Sequence, residues 1–425
     1  MSIGATWLKS APVHLTGVCV VLMVYGFLFP VLNWPDEYRN VTLLQQGSES
    51  GYAFIYGHFA GAVMQSADAL FGLNELSDVL GSVQQSGGYR MVQGDLHYKT
   101  VSDVPAVYYF AKLANSFLAL LFAIAVSLHL CGAGRQSGSG DGQVNGAVRV
   151  NGDVRVLLLS LCFPSVAYGV MQISTDILFI LFSLVPFFLR GRKVSIAFAA
   201  AMAMLVVEDR SFLLLSIFVL LREFYDALLS RRLAIAGWKK RLGWLAFFSV
   251  LTMAAAFLIS SWLRNPGLLN MLYPGLGDGV AIALEYTHGK SYNPVVSLVV
   301  FYAGFIILPS ATEFFVALLP LYLILLFVFY RFLVFCLSAA YGEAGTRAYL
   351  ALLSVLTIFF FLTGVVHVFE SGRYYLYLVP YLVHALLSGA IRFKGLDAFR
   401  AEWVMLTGFT LMAVSVTLLA YVLGA

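Results

Sequence analysis

Two adjacent carboxylates, Asp36 and Glu37, stand in the segment Asn33-Trp34-Pro35-Asp36-Glu37-Tyr38, directly after an apolar run from Leu15 to Leu32. A carboxylate pair at that boundary can take a proton from a hydroxyl or hold a hard divalent cation, and Pro35 stiffens the exit from the preceding helix. In isolation such a pair reads as an acidic interfacial turn. Further polar groups are spread over the chain. Arg90, Asp95, His97 and Lys99 form a mixed-charge run that reads as solvated loop, with contact to a phosphate or sugar as the alternative. Ser174-Thr175-Asp176 offers three helix N-cap residues, and Glu208-Asp209-Arg210 reads as a structural charge cluster unless it faces a cavity. Late in the chain, Glu370-Ser371-Gly372-Arg373-Tyr374-Tyr375-Leu376 places an arginine among aromatics. Its plain reading is an interfacial Arg373 paired with Glu370, with Tyr374, Tyr375 and Tyr377 in an aromatic belt.

The elements that must position these groups are apolar helices. Hydrophobic residues make up 60% of the 425 and charged residues 11%, a balance that requires a bilayer as solvent. A net charge of +4 is too small to indicate a nucleic-acid partner. Cys19, Cys131, Cys162 and Cys336 all lie in or beside apolar segments, so neither a structural disulfide nor a zinc site is expected. The first apolar run has no small-residue cleavage site and is expected to be retained. Further runs cover Pro105 to Leu130, Val154 to Ile173, Ile177 to Leu189, Val194 to Val207, Ser211 to Leu221 and Leu242 to Trp262. Phe314 to Leu337, Ala348 to Val366, Tyr374 to Ile391 and Trp403 to Val422 complete the set, which predicts an all-α polytopic membrane protein with about eleven crossings.

Basic residues gather in the Gly/Ser-rich stretch around Arg135 and Arg149, at Arg190, Arg192 and Lys193, across Arg222 to Arg241, near Arg347, and at Arg392 and Lys394. Placing these on the cytoplasmic side fixes the topology. One transmembrane domain then covers residues 1–425, with a first extracytoplasmic loop at 33–104 and a second at 264–310. Asn293 to Leu308 is apolar enough to cross, but parity forbids it, so it reads as a re-entrant or interfacial helix ended by Pro309. Within the first loop, Tyr52 to Phe71 repeats apolar residues at helical spacing, with Ile55, Phe59, Val63 and Leu70 on one face. That helix would lie along the membrane surface or close as a lid over the bundle. The hairpins whose tips carry Asp176 and Asp209 are shorter than the roughly 20 residues a span needs, which predicts sunken tips around an outward-facing aqueous pocket.

The acidic pair after the first span, the long amphipathic first loop and the late Arg-Tyr turn followed by Pro380 together resemble the GT-C superfamily, polytopic glycosyltransferases that take sugars from polyprenyl-phosphate carriers. Asp36-Glu37 matches the Asp-Glu form of that superfamily's first-loop acidic motif, and Asp176-Ile177-Leu178 resembles the acidic opening of its fourth span. The layout is matched over the whole length, the motifs over about a dozen residues. Many members carry a His soon after the acidic pair, where this chain has Arg39-Asn40. The resemblance implies Asp36 as base for the acceptor hydroxyl, with Glu37 orienting it or sharing a divalent cation, Mg²⁺ or Mn²⁺, with it. It implies Arg373 as the phosphate clamp, since a guanidinium can hold two phosphate oxygens at once. Tyr374, Lys99 and Arg210 are further donor-binding candidates, and Asp176, Asp209, Glu370 and His97 are secondary ones.

The leading expectation is therefore an inverting glycosyltransferase in a bacterial cytoplasmic membrane, multi-pass, with its site on the periplasmic or exterior face. Its partners would be the lipid bilayer, a polyprenyl-phosphate sugar and a glycan, lipid or cell-wall acceptor. A transporter or flippase of a polar lipid-linked substrate is the alternative, and it expects charges to continue through the bundle rather than gather at the outer end. A glycan polymerase or ligase with a diphosphate-linked donor is a third reading.

Overall fold

A backbone in hydrocarbon must satisfy its own N–H and C=O groups, and a chain this apolar does so by forming helices. The computed structural model describes residues 15–23, 54–73, 106–136, 143–171, 177–207, 211–263, 319–366 and 372–390, with 267, 270 and 271. Among them every regular element is helical and no strand occurs. The helices are α1 (15–23), α2 (Phe54–Phe71), α3 (Ala106–Gln136), α4 (Gln143–Leu161), α5 (Pro164–Met171) and α6 (Ile177–Ser183). They continue with α7 (Arg192–Met204), α8 (Ser211–Ala234), α9 (Trp238–Leu263), α10 (Leu319–Leu337), α11 (Gly342–Val366) and α12 (Val379–Ala385). A 3-10 turn at Val185–Phe187 extends α6, and a 3-10 helix at Gly372–Leu378 leads into α12.

Three stretches among the described residues are long and apolar enough to cross a membrane: Tyr109–Leu130, Trp238–Ile259 and Ala339–Leu362. The pair Gly152–Leu161 and Ser165–Met171 makes a fourth if its 63° bend belongs to one span. That bend falls at Pro164, which has no N–H to continue the α4 ladder and is suited to start a new helix. The apolar stretch Ile177–Phe187 is short, as its sequence length requires.

Face assignments follow from exposure. On α3, Leu113, Phe117, Leu121, Ile124 and Leu128 form an exposed stripe at helical spacing. Lys112, Asn115, Ser116, Ala119 and Ala123 are buried on the other side. Polar and small residues thus face the bundle and large apolar ones face outward, the arrangement a lipid solvent favours. α8 differs: Leu213, Ile217, Leu220, Phe224 and Leu228 form its exposed stripe, while its buried face carries the large apolar Phe212, Leu215, Phe218, Val219 and Tyr225 together with Arg222. The main helix contacts pair α9 with α11, α7 with α8, and α8 with α11.

Several expectations need correction. The run predicted to stop at Leu221 continues as helix to Ala234, because Arg222 turns inward and finds partners instead of marking a loop. Arg149 sits in α4 and Arg135 in α3, so the predicted Gly/Ser-rich loop is at most residues 137–142. The expected helix of the first loop is present at Phe54–Phe71, with Tyr56, Ala60, Met64 and Ala67 buried and Ile55 and Leu70, from the apolar face, exposed. It packs on α3, with Phe71 stacked on Phe110 at 4.9 Å, because Gly57, Ala60 and Gly61 allow closer approach than the bulkier face would. Residues 33–53 and 74–104, the apolar run 293–308 and nearly all of the second predicted loop lie outside the described residues.

Candidate functional site

One end of the bundle is built from the first turns of α3, the last residue of α5, the start of α6 and the 3-10 helix Gly372–Leu378. Chain direction sets this end apart. The 3-10 helix follows the C-terminus of α11, while Arg241, at the start of α9, bonds near the N-terminus of α11. Lys112 lies three residues inside the apolar stretch that begins at Tyr109, about one helical turn deep. It is only 5% exposed, and its ammonium donates to the Met171 carbonyl at 3.1 Å. Ser116 donates to the Lys112 carbonyl at 3.1 Å and approaches the Met171 sulfur at 3.2 Å. From α2, the Tyr56 hydroxyl donates to Asn115 Oδ1 at 3.0 Å. A cation near the membrane edge ordinarily extends to water, so one covered by protein and bonded at a helix C-terminus marks a polar interior.

The 3-10 helix packs against α5, α6, α8 and α11. Tyr377 stacks on Phe218 at 4.2 Å, and Tyr375 meets Phe359 edge-on at 5.9 Å. Both tyrosines are buried, which corrects their assignment to an interfacial belt: the helix carrying them is pressed into the bundle and their rings fill it. Arg373 and Tyr374 occupy the first turn of this helix, which as a whole packs on α5 and α6. Two buried hydroxyls in the same region, Ser165 on α5 and Tyr377, have no hydrogen-bond partner among the described residues.

Asp36, Glu37, His97, Lys99, Asp176, Asp209, Arg210 and Glu370 lie outside the described residues. Two of these positions adjoin described elements. The segment with Asp176 runs between Met171 and Ile177, both buried, and the one with Asp209 and Arg210 leads into the buried Ser211 of α8. Among the described residues no group of three His, Cys, Asp or Glu side chains is placed to hold a metal ion. The candidate cation ligands Asp36 and Glu37 are not among those residues.

Sequence reasoning missed Lys112 and misread Arg222. Lys112 was hidden in the run Pro105 to Leu130, and its signal is a single charge inside an apolar stretch. Arg222 is a buried clamp beside the α6–α7 turn. Its guanidinium donates to the Pro186 carbonyl, to Tyr381 Oη at 3.0 Å, to Ser195 Oγ at 3.0 Å and to Glu223 Oε1 at 2.7 Å. Arg347 donates to the next carbonyl, Phe187, with its guanidinium 5.4 Å from that residue's ring. Together they satisfy the carbonyls that the short 3-10 turn leaves open at its end.

No protein-family model, curated protein or solved structure matches this chain.

Proposed function

We propose that this chain is a GT-C-like glycosyltransferase that moves a sugar, with inversion, from a polyprenyl-phosphate carrier to a glycan, lipid or cell-wall acceptor. In this reading it crosses a bacterial cytoplasmic membrane about eleven times and works on the extracytoplasmic face. The observation that supports it best is the buried Lys112 at the end of the bundle where the Arg373-bearing 3-10 helix packs on α5. The donor's phosphate carries negative charge that grows as the sugar leaves. Arg373 offsets that charge, and Lys112, at the same end of the bundle, adds positive potential. Asp36 accepts the proton of the acceptor hydroxyl, and Glu37 orients it or shares a divalent cation with it. Lys99, Arg210 and Tyr374 contact the donor head, and the isoprenoid tail stays in the bilayer.

Transport of a polar lipid-linked substrate is the second reading, and one observation favours it: Arg222 is a second buried charge, set by the α6–α7 turn away from the Lys112 end. Its guanidinium is committed to four protein acceptors, which suits a fixed clamp better than a moving relay. The deciding experiment incubates purified protein with a panel of radiolabelled polyprenyl-phosphate sugars and membrane glycolipids. Transfer that is abolished in Asp36→Asn with donor binding retained, and whose donor binding falls at least tenfold in Lys112→Met, supports the enzyme. Absence of turnover with every donor sinks it and leaves transport ahead.

A further inference from the structure

The turn between α8 and α9 concentrates charge and apolar surface in one place. Arg231 and Arg232 close α8, Lys239 and Lys240 open α9, and all four are exposed. Between them stand Ile235, 90% exposed, and Trp238, 58% exposed. From Ala227 to Leu245 the chain contains no acid. Asp226, on α8 itself, and Glu343, on α11, are exposed, and the four cations outnumber them. The first turn of α9 carries lysines and no acid, the reverse of what its own dipole favours, so local helix stability does not explain them.

The tip is held firmly from beneath. Arg241, fully buried, donates to the carbonyls of Leu233 and Cys336, each at 2.9 Å, and Tyr349 donates to the Arg241 carbonyl at 2.7 Å. The exposed groups therefore ride on a braced turn. Its position is also fixed against the apolar surface: the stretch able to cross a membrane starts at Trp238, and exposed Leu242, Phe247, Val250 and Leu251 follow. The Lys239 ammonium lies 5.7 Å from the Trp238 ring centre, and the Arg232 guanidinium 6.0 Å from that of Trp244. Indoles beside cations at the edge of an apolar helix match the headgroup layer, where rings sit among glycerol esters and cations reach phosphates.

We infer that the α8–α9 tip is a binding surface for anionic phospholipid headgroups. Arg231, Arg232, Lys239 and Lys240 take the phosphates, and Ile235 and Trp238 enter the acyl boundary. A soluble acidic partner would have no use for two large apolar side chains projecting beside a membrane-length helix. The inference stands apart from the proposed transferase activity, since it concerns the opposite end of the bundle.

The test is native mass spectrometry of the full chain in mild detergent with equal amounts of phosphatidylglycerol and phosphatidylcholine. The wild type should retain phosphatidylglycerol more than tenfold over phosphatidylcholine, because each cation near a charged surface contributes roughly fivefold in binding. Raising salt from about 0.05 to about 0.5 M should erode that preference. The Arg231→Gln/Arg232→Gln/Lys239→Gln/Lys240→Gln variant should fall to near parity while melting like the wild type. Arg192→Gln/Lys193→Gln, which removes exposed cations from the α6–α7 turn, should keep the preference. Equal retention of the two lipids by the wild type, a preference indifferent to salt, or an equal loss in the control variant each overturns the inference.

Discussion

Replacing Arg222 with Met keeps most of the side chain's volume and removes a guanidinium that ties four elements together. Its partners belong to the 3-10 turn after α6, to α7, to α8 itself and to α12. Hydrogen bonds to a charged group contribute roughly 1.5–3 kcal/mol each when their loss strands a buried acceptor, and breaking a buried ion pair costs about 3–5 kcal/mol. The Glu223 side chain is 14% exposed, so water relieves part of its stranded charge, and the lower figure of about 3 kcal/mol applies. For a chain of 425 residues that is a drop of about 3 °C in apparent melting midpoint, read at one fixed scan rate in one detergent because unfolding of such chains is irreversible. Adding Glu223→Gln removes the stranded carboxylate, and the double variant should regain about a third of the loss. If Arg222→Met melts within about a degree of the wild type, or if the double variant loses as much as the two single variants summed, the guanidinium is no clamp.

Three other substitutions test the packing. At Gly345 a Cβ would lie 3.0 Å from the Phe335 carbonyl oxygen and 3.0 Å from Tyr341 Cβ, and backbone cannot yield, so Gly345→Ala should destabilise by about 1–3 kcal/mol in the same melting assay. At Gly169 the new methyl would clash with Ile180 Cδ1, at 2.5 Å, the movable end of a side chain, and otherwise make ordinary contact with Cγ1 of the same residue at 3.6 Å. The helix-propensity gain of Ala, about 1 kcal/mol, offsets that clash, so Gly169→Ala should be near neutral and Gly169→Ala/Ile180→Val clearly more stable than Ile180→Val alone. Tyr56→Phe removes the hydroxyl that holds α2 on α3 and should cost about 1 kcal/mol; protease cutting should then increase around residues 54–71 before it does elsewhere.

How far the site could be read in advance depended on whether its signal was local. Arg373 and its tyrosines were visible as a motif, and their helix forms at Gly372–Leu378, but its burial against α5, α6, α8 and α11 depends on segments up to about 200 residues away. Lys112 was one letter in an apolar run. Only its neighbours on α5 give it meaning, through a carbonyl 59 residues on. The α2 helix was legible from its period, yet the face it buries was not: hydrophobicity favours Ile55 and Leu70, while packing favours the small residues that let two helices approach.

The amino-acid order alone determined the solvent and the element type. A chain with 60% hydrophobic residues calls for a bilayer, and continuous apolar runs far longer than a barrel strand select helices there. Run lengths then located most of the described helices to within a few residues, because apolar length is a one-dimensional property. Which charges are structural was decided only by the tertiary structure. Arg222 and Arg241 look like loop cations in the sequence, yet each is buried on carbonyls supplied by distant helix ends. A buried charge is stable only where such acceptors converge, and convergence is a property of the packed bundle.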